Sequence, residues 1–489
     1  MAFGASTLLI SAVLFFAAWK QTEKQHYQGA ILLILLAGLC LRLFVASDFF
    51  IHEWDERYHA LVAKNMMTFP FKPMLYKTPV LAYDYQYWVS NHIWLHKPPL
   101  PLWLIALSFR CFGVNEWALR LPSILASTIA IGLTFAIAKY YLNQQMALLA
   151  AFLHAIHGLI IELTGGRVAS DHYDLFFLFF IEWGVFFSIL YTKNSQKRWL
   201  AILIGLSTGA AILTKWLPGL IVVPIWVTLA LGTKMPRRRI GIDLTIILFM
   251  VSIVVIPWQW HIFTHFPLEA NWEIAYNLRH MTSGLEEHGE PWFYHLNKWR
   301  MVYGELIYLP LLWLLYKGRR WLKRSHLKWL SLLIWIFVPL FFFSIAKTKM
   351  PAYTLVSAPA VFIVTAFFLA YSLRYKNRFT TKQQWGINGI AILLVLLPIR
   401  YAFERIKPFD HRERKHEWAM HLRTLDNQIP TENAILFNTD RPIESMFYTK
   451  LVAAYPGIPD EATIERLKRE GYDLYFMQEG KAIQLGKHH

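Results

Sequence analysis

Long apolar stretches, each followed by a short polar segment, constrain the fold of this sequence most strongly. An apolar run of about 20 residues is long enough to cross a bilayer as a helix. We therefore predict an all-α polytopic membrane protein with about 11–13 transmembrane helices. The predicted spans are 29–47, 119–140, 146–163, 174–192, 198–214, 217–231, 240–258, 295–316, 328–346, 353–373 and 385–403. The apolar run 5–19 has no basic segment before it and no small-residue cleavage pattern, so we interpret it as a retained helix.

The basic residues indicate how these helices are oriented. The chain has a formal net charge of +17, and 56% of its residues are hydrophobic, above the share typical of soluble proteins. Five connecting segments carry 18 Lys and Arg residues and no Asp or Glu. Such segments lie in the cytoplasm by the positive-inside rule, so the charge indicates membrane orientation and not nucleic-acid binding. The five segments are 139–145, 193–198, 232–239, 317–328 and 374–382.

Two stretches fit an interfacial helix better than a span. Counting 98–113 as a span would invert every later connecting segment, so we predict that it lies on the outer surface. The segment 53–68 has an apolar stripe at helical spacing and is interpreted in the same way. The outer segments 48–97 and 261–294 are long, aromatic and acid-containing.

The C-terminal stretch differs in composition from the rest of the chain. Charged and polar residues dominate 404–489, where helix-like runs (411–427 and 460–470) alternate with strand-like runs (434–438, 451–455 and 472–477). We predict a transmembrane domain over 1–403 and a small periplasmic α/β domain over 404–489.

The first outer segment holds the first candidates for chemistry. Asp55 and Glu56 form a carboxylate pair, which is either a solvated helix face or a source of a general base. His59 lies four residues after Asp55 and can share its helix face. Lys97 precedes two prolines, which disfavour a helical conformation at that position. It can bind a lipid phosphate or simply reach the interface with its ammonium group.

Further charged residues lie at the outer ends of spans. Charges at this depth are costly unless they are paired or wetted, and an Arg–Asp pair is the plain structural interpretation. The lysines oppose the positive-inside bias, which a negatively charged ligand at the outer interface would explain. The residues are Arg167, Asp171, Asp174, Lys215, Lys347 and Lys349.

The outer segment 261–294 contains several histidines without firm metal-ligand spacing. His261 and His265 are four residues apart, but solvated histidines are the simpler interpretation. Cys40 and Cys111 both lie in apolar runs and predict neither a disulfide framework nor a metal site. No metal or cofactor is therefore predicted.

Outer carboxylates and lysines together suit group transfer from a membrane-borne phosphate. Cations stabilise a departing phosphate, and a carboxylate accepts the proton of an attacking hydroxyl. The chain has no Gly-rich phosphate loop, so nucleotide binding has no support. The alternatives are a transporter or flippase for a lipid-linked sugar and an inactive scaffold. A transporter would favour related halves and charges near the midplane, whereas these charges cluster at span ends.

Six motifs in order resemble the GT-C fold glycosyltransferases, most closely the ArnT-like and protein O-mannosyltransferase-like superfamily. The resemblance covers about residues 29–373. The motifs are WDERYHALVAKNMM, HKPPLPLWLIALSFRCFGVNEWALRLPSILA, GRVASDHYDLFF, STGAAILTKWLPGL, EHGEPWFYH and FSIAKTKMPAYTLVSAPA.

The resemblance implies an inverting transferase that uses a polyprenyl-phosphate-linked sugar on the periplasmic side of a bacterial inner membrane. It implies that Asp55 is the catalytic carboxylate, accompanied by Glu56, and that Asp171 has a catalytic role. It also implies that Lys97, Lys347, Lys349, Tyr353 and Arg279 contact the lipid phosphate. Secondary candidates are His59, Tyr58, Arg167, Asp174, Lys215 and His288.

One position departs from the pattern of the aminoarabinose transferases. Those enzymes usually have an arginine two residues after the glutamate of the Asp-Glu motif, where this chain has Tyr58 with Arg57 beside it. The departure weakens the assignment of that particular sugar more than the assignment of a transferase. The acceptor, whether lipid A, another glycolipid, a glycan or a protein, stays open because fold does not fix substrate.

Overall fold

The structure is a computed structural model that describes residues 2–168, 172–194, 197–318, 327–429, 431–478 and 480–485. Helices dominate these residues. They are α1 (Ala2–Glu23), α2 (Tyr27–Val45), α3 (Asp55–Met66), α4 (Leu100–Phe112), α5 (Glu116–Tyr141), α6 (Gln144–Ala155), α7 (Gly158–Thr164), α8 (His172–Lys193), α9 (Trp199–Lys215), α10 (Val222–Leu231), α11 (Arg237–His265), α12 (Pro267–Thr282), α13 (Tyr294–Tyr303), α14 (Tyr308–Gly318), α15 (Leu327–Ile345), α16 (Ala358–Tyr375), α17 (Thr381–Ile406), α18 (Glu417–Gln428), α19 (Pro442–Tyr448) and α20 (Glu461–Arg469).

Apolar helices long enough to cross a membrane confirm the predicted fold class. Within the described ranges, eight helices meet the length and composition of a span, and the pair α6 and α7, bent by 50°, makes a ninth. Helix α9 and the segment Leu217–Leu231 are apolar but shorter. They match the predicted spans 198–214 and 217–231, so helix length explains why these two are not counted.

The prediction of one continuous span over 295–316 is wrong. Helix α13 ends at Tyr303, and α14 begins at Tyr308 after a short 3-10 turn over Glu305–Ile307. Gly304 between them has a φ of +93°, which favours glycine. A Cβ on Gly304 would also lie 2.8 Å from Leu397 Cβ. The break therefore depends on a close approach to α17 that an apolar run does not reveal.

The chain divides into two compact units, and the first comprises residues 1–46, 123–261 and 275–411. Its interior is a large cluster of buried aliphatic and aromatic side chains from the spanning helices. Glycines allow α9 to approach α11 closely, since a Cβ on Gly205 would lie 2.6 Å from the carbonyl oxygen of Ile247. Without a hydrophobic driving force between helices in lipid, such small-residue contacts hold neighbouring helices together.

The second unit comprises residues 47–122, 262–274 and 412–489. It includes α3 and α4, which pack against each other, and the C-terminal helices α18–α20. Four strands form a sheet of order β2-β1-β3-β4, with β1 (Ala434–Phe437), β2 (Ala453–Ala454), β3 (Asp473–Gln478) and β4 (Lys481–Gln484). Strand β1 is parallel to β2 and β3, and β4 is antiparallel to β3.

The C-terminal elements agree with the predicted α/β character, with corrections in detail. The helix predicted over 411–427 begins only at Glu417, and α19 and β4 were not predicted. Helix α19 has seven residues and β4 has four, too short for a clear periodic pattern. The helix predicted over 53–68 exists as α3, but Glu56, assigned to its polar side, is buried. The domain boundary at 403/404 stays a prediction.

The predicted orientation can be tested by cysteine labelling. We expect Tyr87→Cys to react with a membrane-impermeant maleimide in intact cells and Lys234→Cys to react only after permeabilisation. Both variants should carry Cys40→Ser and Cys111→Ser, because the native chain has these two thiols. Labelling of Lys234→Cys in intact cells would contradict the orientation.

Candidate functional site

Asp55 occupies an accessible position at the start of a helix. It is the first residue of α3, where the helix N-terminus stabilises a negative charge. The preceding residue, Trp54, has a φ of +67°, so the chain turns sharply into the helix. Asp55 Oδ2 lies 3.8 Å from Lys97 Nζ, and the two side chains are 20% and 29% exposed. The structure therefore joins the carboxylate and the lysine that the sequence singled out.

Aromatic and proline neighbours hold the Lys97 segment. The His96 ring stacks on Trp88, with ring centroids 4.5 Å apart and planes 6° from parallel. His96 Nδ1 also lies 3.5 Å from Glu273 Oε2. After Lys97 come two prolines, and α4 begins at Leu100. These contacts restrict where the Lys97 backbone can move.

Glu56 differs from its neighbour Asp55 because its carboxylate is buried and fully engaged. Arg120 Nε donates to Glu56 Oε1 at 2.7 Å, and Arg120 Nη2 donates to Oε2 at 2.9 Å. The backbone N–H of His52 donates to the same Oε2 at 2.6 Å. Both side chains of the ion pair have zero exposure. This two-point pair fixes the first turn of α3 against the start of α5.

A second carboxylate extends this buried network to the C-terminal segment. Asp48 Oδ2 lies 3.1 Å from His52 Nε2 and accepts from Arg412 Nε at 3.0 Å. Its Oδ1 accepts from Arg414 Nη1, also at 3.0 Å. Asp48 and the first turn of α3 are thereby tied to residues more than 350 positions later in the chain.

These network residues were not predicted as part of a site. One signal was present, since Arg120 is a charged residue at the edge of an otherwise apolar run. Asp48, His52 and Glu56 are spaced by four residues, which is the spacing of one helix face. Residues 48–54 are not helical, however, so an argument from helical spacing would have grouped these three residues for a reason that the structure contradicts.

Two secondary candidates beside Asp55 are buried. Tyr58 Oη accepts from Arg57 Nη2 at 3.2 Å, and burial raises the pKa of Tyr58. Arg57 in turn pairs with Glu444 at 3.1 Å. His59 has no exposure, and its ring lies against Trp94 with centroids 5.6 Å apart. The pairing of Asp55 with His59 stays a prediction.

Lys64, at the other end of α3, binds the C-terminal end of α19. Its ammonium donates to the carbonyl oxygens of Met446, Phe447 and Thr449 at 2.8, 2.9 and 2.6 Å. Burial lowers the pKa of Lys64 to about 8. The last carbonyls of a helix lack partners within the helix, so this lysine caps α19.

In the first unit, the structure brings three predicted residues together. Lys215 forms an ion pair with Asp174, which is nearly buried. The Lys215 ammonium also lies 4.4 Å from the centre of the Tyr353 ring. Asp174 therefore neutralises Lys215, whereas the plain interpretation of the sequence paired an aspartate with an arginine.

Four other candidates lie on adjoining segments of the first unit. The backbone N–H of Lys347 donates to the His280 carbonyl, next to Arg279, and that of Lys349 donates to the His288 carbonyl. Lys347 is exposed, whereas Lys349 is buried. The Lys349 ammonium donates to the carbonyl oxygens of Glu290, at 2.8 Å, and Ala346. Burial, and then the charge of Lys347, lower the pKa of Lys349.

The remaining candidates differ in what is known of their surroundings. Arg167 lies 6.0 Å from the Phe44 ring and donates to the Ile406 carbonyl at 3.4 Å. Asp171 lies outside the described residues. Among the described residues, no group of three His, Cys, Asp or Glu side chains comes together to hold a metal ion.

Comparison with known proteins connects this geometry to a group of enzymes. The sequence model of the dolichyl-phosphate-mannose-protein mannosyltransferase family matches residues 96–261. An undecaprenyl phosphate-alpha-4-amino-4-deoxy-L-arabinose arabinosyl transferase of Pseudomonas aeruginosa is 25% identical over 347 residues, which cover 66% of this chain and 60% of that protein. An uncharacterised protein of Aquifex aeolicus is 25% identical over 378 residues, 76% of this chain and 70% of its own. The match thus spans about three fifths of the arabinosyl transferase.

Solved structures share the fold over nearly the whole chain. ArnT from Cupriavidus metallidurans bound to undecaprenyl phosphate superposes with a TM-score of 0.61 at 18% identity, covering 92% of this chain and 93% of that one. The oligosaccharyltransferase AglB from Archaeoglobus fulgidus, in complex with an inhibitory peptide and a dolichol-phosphate, gives 0.58 at 13% identity, covering 91% and 69%. At this identity the likeness establishes the fold.

The buried pair predicts a large effect of single substitutions. We expect Glu56→Gln or Arg120→Met to lower the free energy of unfolding by about 3–5 kcal/mol, since each leaves an uncompensated buried charge. The double variant should lose less than the sum of the two. Thermal unfolding of the purified protein in detergent measures this. Additive losses would mean that the pair does not couple.

Substitutions of Lys349 and Lys347 should change the free energy of unfolding by different amounts. Lys349→Met should lower the free energy of unfolding by about 1–3 kcal/mol, because the carbonyls of Glu290 and Ala346 lose their donor. Lys347→Met, the matched control, should change it by less than about 0.5 kcal/mol because that side chain is exposed. Equal melting temperatures for both variants would contradict the assigned burial.

Proposed function

We propose, from the resemblance of this chain to the ArnT-like superfamily of GT-C fold glycosyltransferases, that it moves a sugar from a polyprenyl-phosphate donor to an acceptor hydroxyl in one inverting displacement. The observation that carries the proposal is the accessible pair of Asp55 and Lys97, 3.8 Å apart at the start of α3. A base and a cation side by side match the two needs of the reaction. One group receives a proton, and the other stabilises a departing phosphate.

The proposed step balances as a direct substitution. The acceptor oxygen attacks the anomeric carbon while Asp55 takes its proton. The bond from that carbon to the phosphate oxygen breaks, and its electron pair leaves with the polyprenyl phosphate. Lys97 neutralises the charge that develops on this phosphate. Asp55 later releases the proton to water.

The other predicted phosphate ligands differ in their exposure and in their contacts within the protein. The resemblance implies that Lys347, Arg279 and Tyr353 contact the donor phosphate, and Lys347 is exposed. Lys349 holds two carbonyls in the fold, and we assign it to shaping this segment. Glu56 is likewise assigned to positioning Asp55, because Arg120 and His52 occupy its oxygens. Asp171 is assigned the catalytic role that the family resemblance implies.

The charge pattern supports a location for the reaction. The outer segment 48–97, which contains Asp55 and Lys97, lies opposite the five basic segments, and the resemblance implies the periplasmic side of a bacterial inner membrane. ArnT is recorded with undecaprenyl phosphate bound and AglB with a dolichol-phosphate, which supports a lipid-linked donor for this chain too. A lipid, a glycan or a protein hydroxyl is the proposed acceptor.

Transfer of label from donor to acceptor tests the proposal. Purified protein in proteoliposomes is given radiolabelled polyprenyl-phosphate sugars and an envelope extract as acceptor. We expect Asp55→Asn to lower the transfer rate by about 10²–10⁴-fold, the usual contribution of a general base. Lys97→Met should lower it by about 10²–10³-fold.

A carboxylate elsewhere in the same outer segment provides the control. Asp84→Asn changes an exposed residue and should transfer label at the wild-type rate. Full turnover by Asp55→Asn in a folded preparation would exclude Asp55 as the base. Movement of the donor between leaflets without transfer would instead indicate the flippase, which the comparisons do not favour.

A further inference from the structure

A second cavity of the second unit has no part in the proposed reaction. Its volume is about 440 Å³, and it lies where α4 is followed by α5 and where α18 and α19 meet. Its walls combine apolar rim residues with charges of both signs. This combination differs from the apolar cavity beside Trp103, in which Arg110 is the only charged side chain.

The position of this cavity relates it to the membrane surface. Helix α5 qualifies as a membrane span and begins at Glu116, so its first turn lies where a span meets the headgroups. Val114 and Trp117 at the rim are 37% and 39% exposed. Apolar and indole side chains at the end of a span are typical of the lipid–water boundary. The rim therefore suits the glycerol and upper acyl region of a lipid.

The polar wall presents one cation and one carboxylate to the cavity. Lys450 is exposed, and its backbone N–H, not its ammonium, donates to Asp426 Oδ1 at 3.1 Å. Asp426 is half-buried. Arg423 adds a second positive group, which is held in place by its ion pair with the buried Glu116 and by a hydrogen bond to the Phe49 carbonyl at 3.0 Å.

Other charges at this cavity are already occupied. Glu116 Oε1 accepts from Tyr448 Oη at 2.6 Å in addition to Arg423. Lys64 donates its ammonium hydrogens to three carbonyl oxygens, and its charge also interacts with Asp426. The groups left to meet a ligand are thus a lysine, the edge of an arginine and a carboxylate. A headgroup with both charges would match the cations Lys450 and Arg423 on one side and the carboxylate of Asp426 on the other.

We propose that this cavity binds the headgroup of a zwitterionic phospholipid with a primary ammonium group. The phosphate lies at Lys450 and Arg423, and the ammonium group lies at Asp426. A primary ammonium donates hydrogen bonds to a carboxylate, which a trimethylated ammonium cannot do. This distinguishes an ethanolamine headgroup from a choline headgroup of the same net charge.

Native mass spectrometry of the full chain in detergent tests the proposal. The probes are short-chain phosphatidylethanolamine, phosphatidylcholine and phosphatidylglycerol, titrated separately. We expect the ethanolamine lipid to bind about tenfold more tightly than the other two, as one extra charge-assisted hydrogen bond allows. Asp426→Asn should reduce this preference to about twofold or less. Lys450→Ala should weaken all three lipids by about threefold or more.

Matched variants elsewhere in the C-terminal region control for general charge effects. Asp440→Asn and Lys468→Ala change exposed residues and should leave all three affinities unchanged. Equal binding of the three lipids by the wild type, or the same affinities in the control and cavity variants, would overturn the proposal. Tightest binding of phosphatidylglycerol would also overturn it, because that result requires an anion site. These measurements do not depend on transferase activity, so either proposal can fail without the other.

Discussion

The buried ion pair between Glu56 and Arg120 fixes the geometry on which the candidate site depends. Two arginine nitrogens meet two carboxylate oxygens at 2.7 and 2.9 Å, without exposure to water. Such a pair gives little net stability compared with apolar residues, but removing one partner is costly. In this protein the main effect of the pair is on the position of the neighbouring residue. Asp55 is the neighbouring residue, so the pair determines where the accessible carboxylate stands.

Two adjacent carboxylates thus have different environments and different assigned roles. Asp55 keeps partial exposure and a lysine at 3.8 Å, whereas Glu56 has lost all contact with solvent. A group that exchanges a proton with a substrate must be reachable, and a group that holds a backbone in place is best buried and saturated. The same contrast separates the exposed Lys347 from the buried Lys349. Burial and partners, more than residue type, separate the residues assigned to chemistry from those assigned to support.

The C-terminal region is bound closely to the first outer segment through polar contacts. Arg412 and Arg414 bind Asp48, Arg57 binds Glu444, and Lys64 caps α19. Buried hydrogen-bonded charges of this kind favour one arrangement over others, since any shift leaves a charge without a partner. A region that is not covered by the family resemblance therefore supports the segment that carries Asp55.

The sequence by itself determined the membrane class and most span positions, and it singled out Asp55 and Lys97 as separate candidates. Apolar run length and charge asymmetry are local properties, so they can be read from consecutive residues. Only the tertiary structure decided that Glu56 is buried, that Lys349 binds carbonyls and that the run 295–316 breaks at Gly304. Each of these depends on a partner far away in the chain, such as Arg120, Glu290 or Leu397. No local pattern encodes which distant groups will meet, and the physical cost of an unpaired buried charge acts only once the chain has folded.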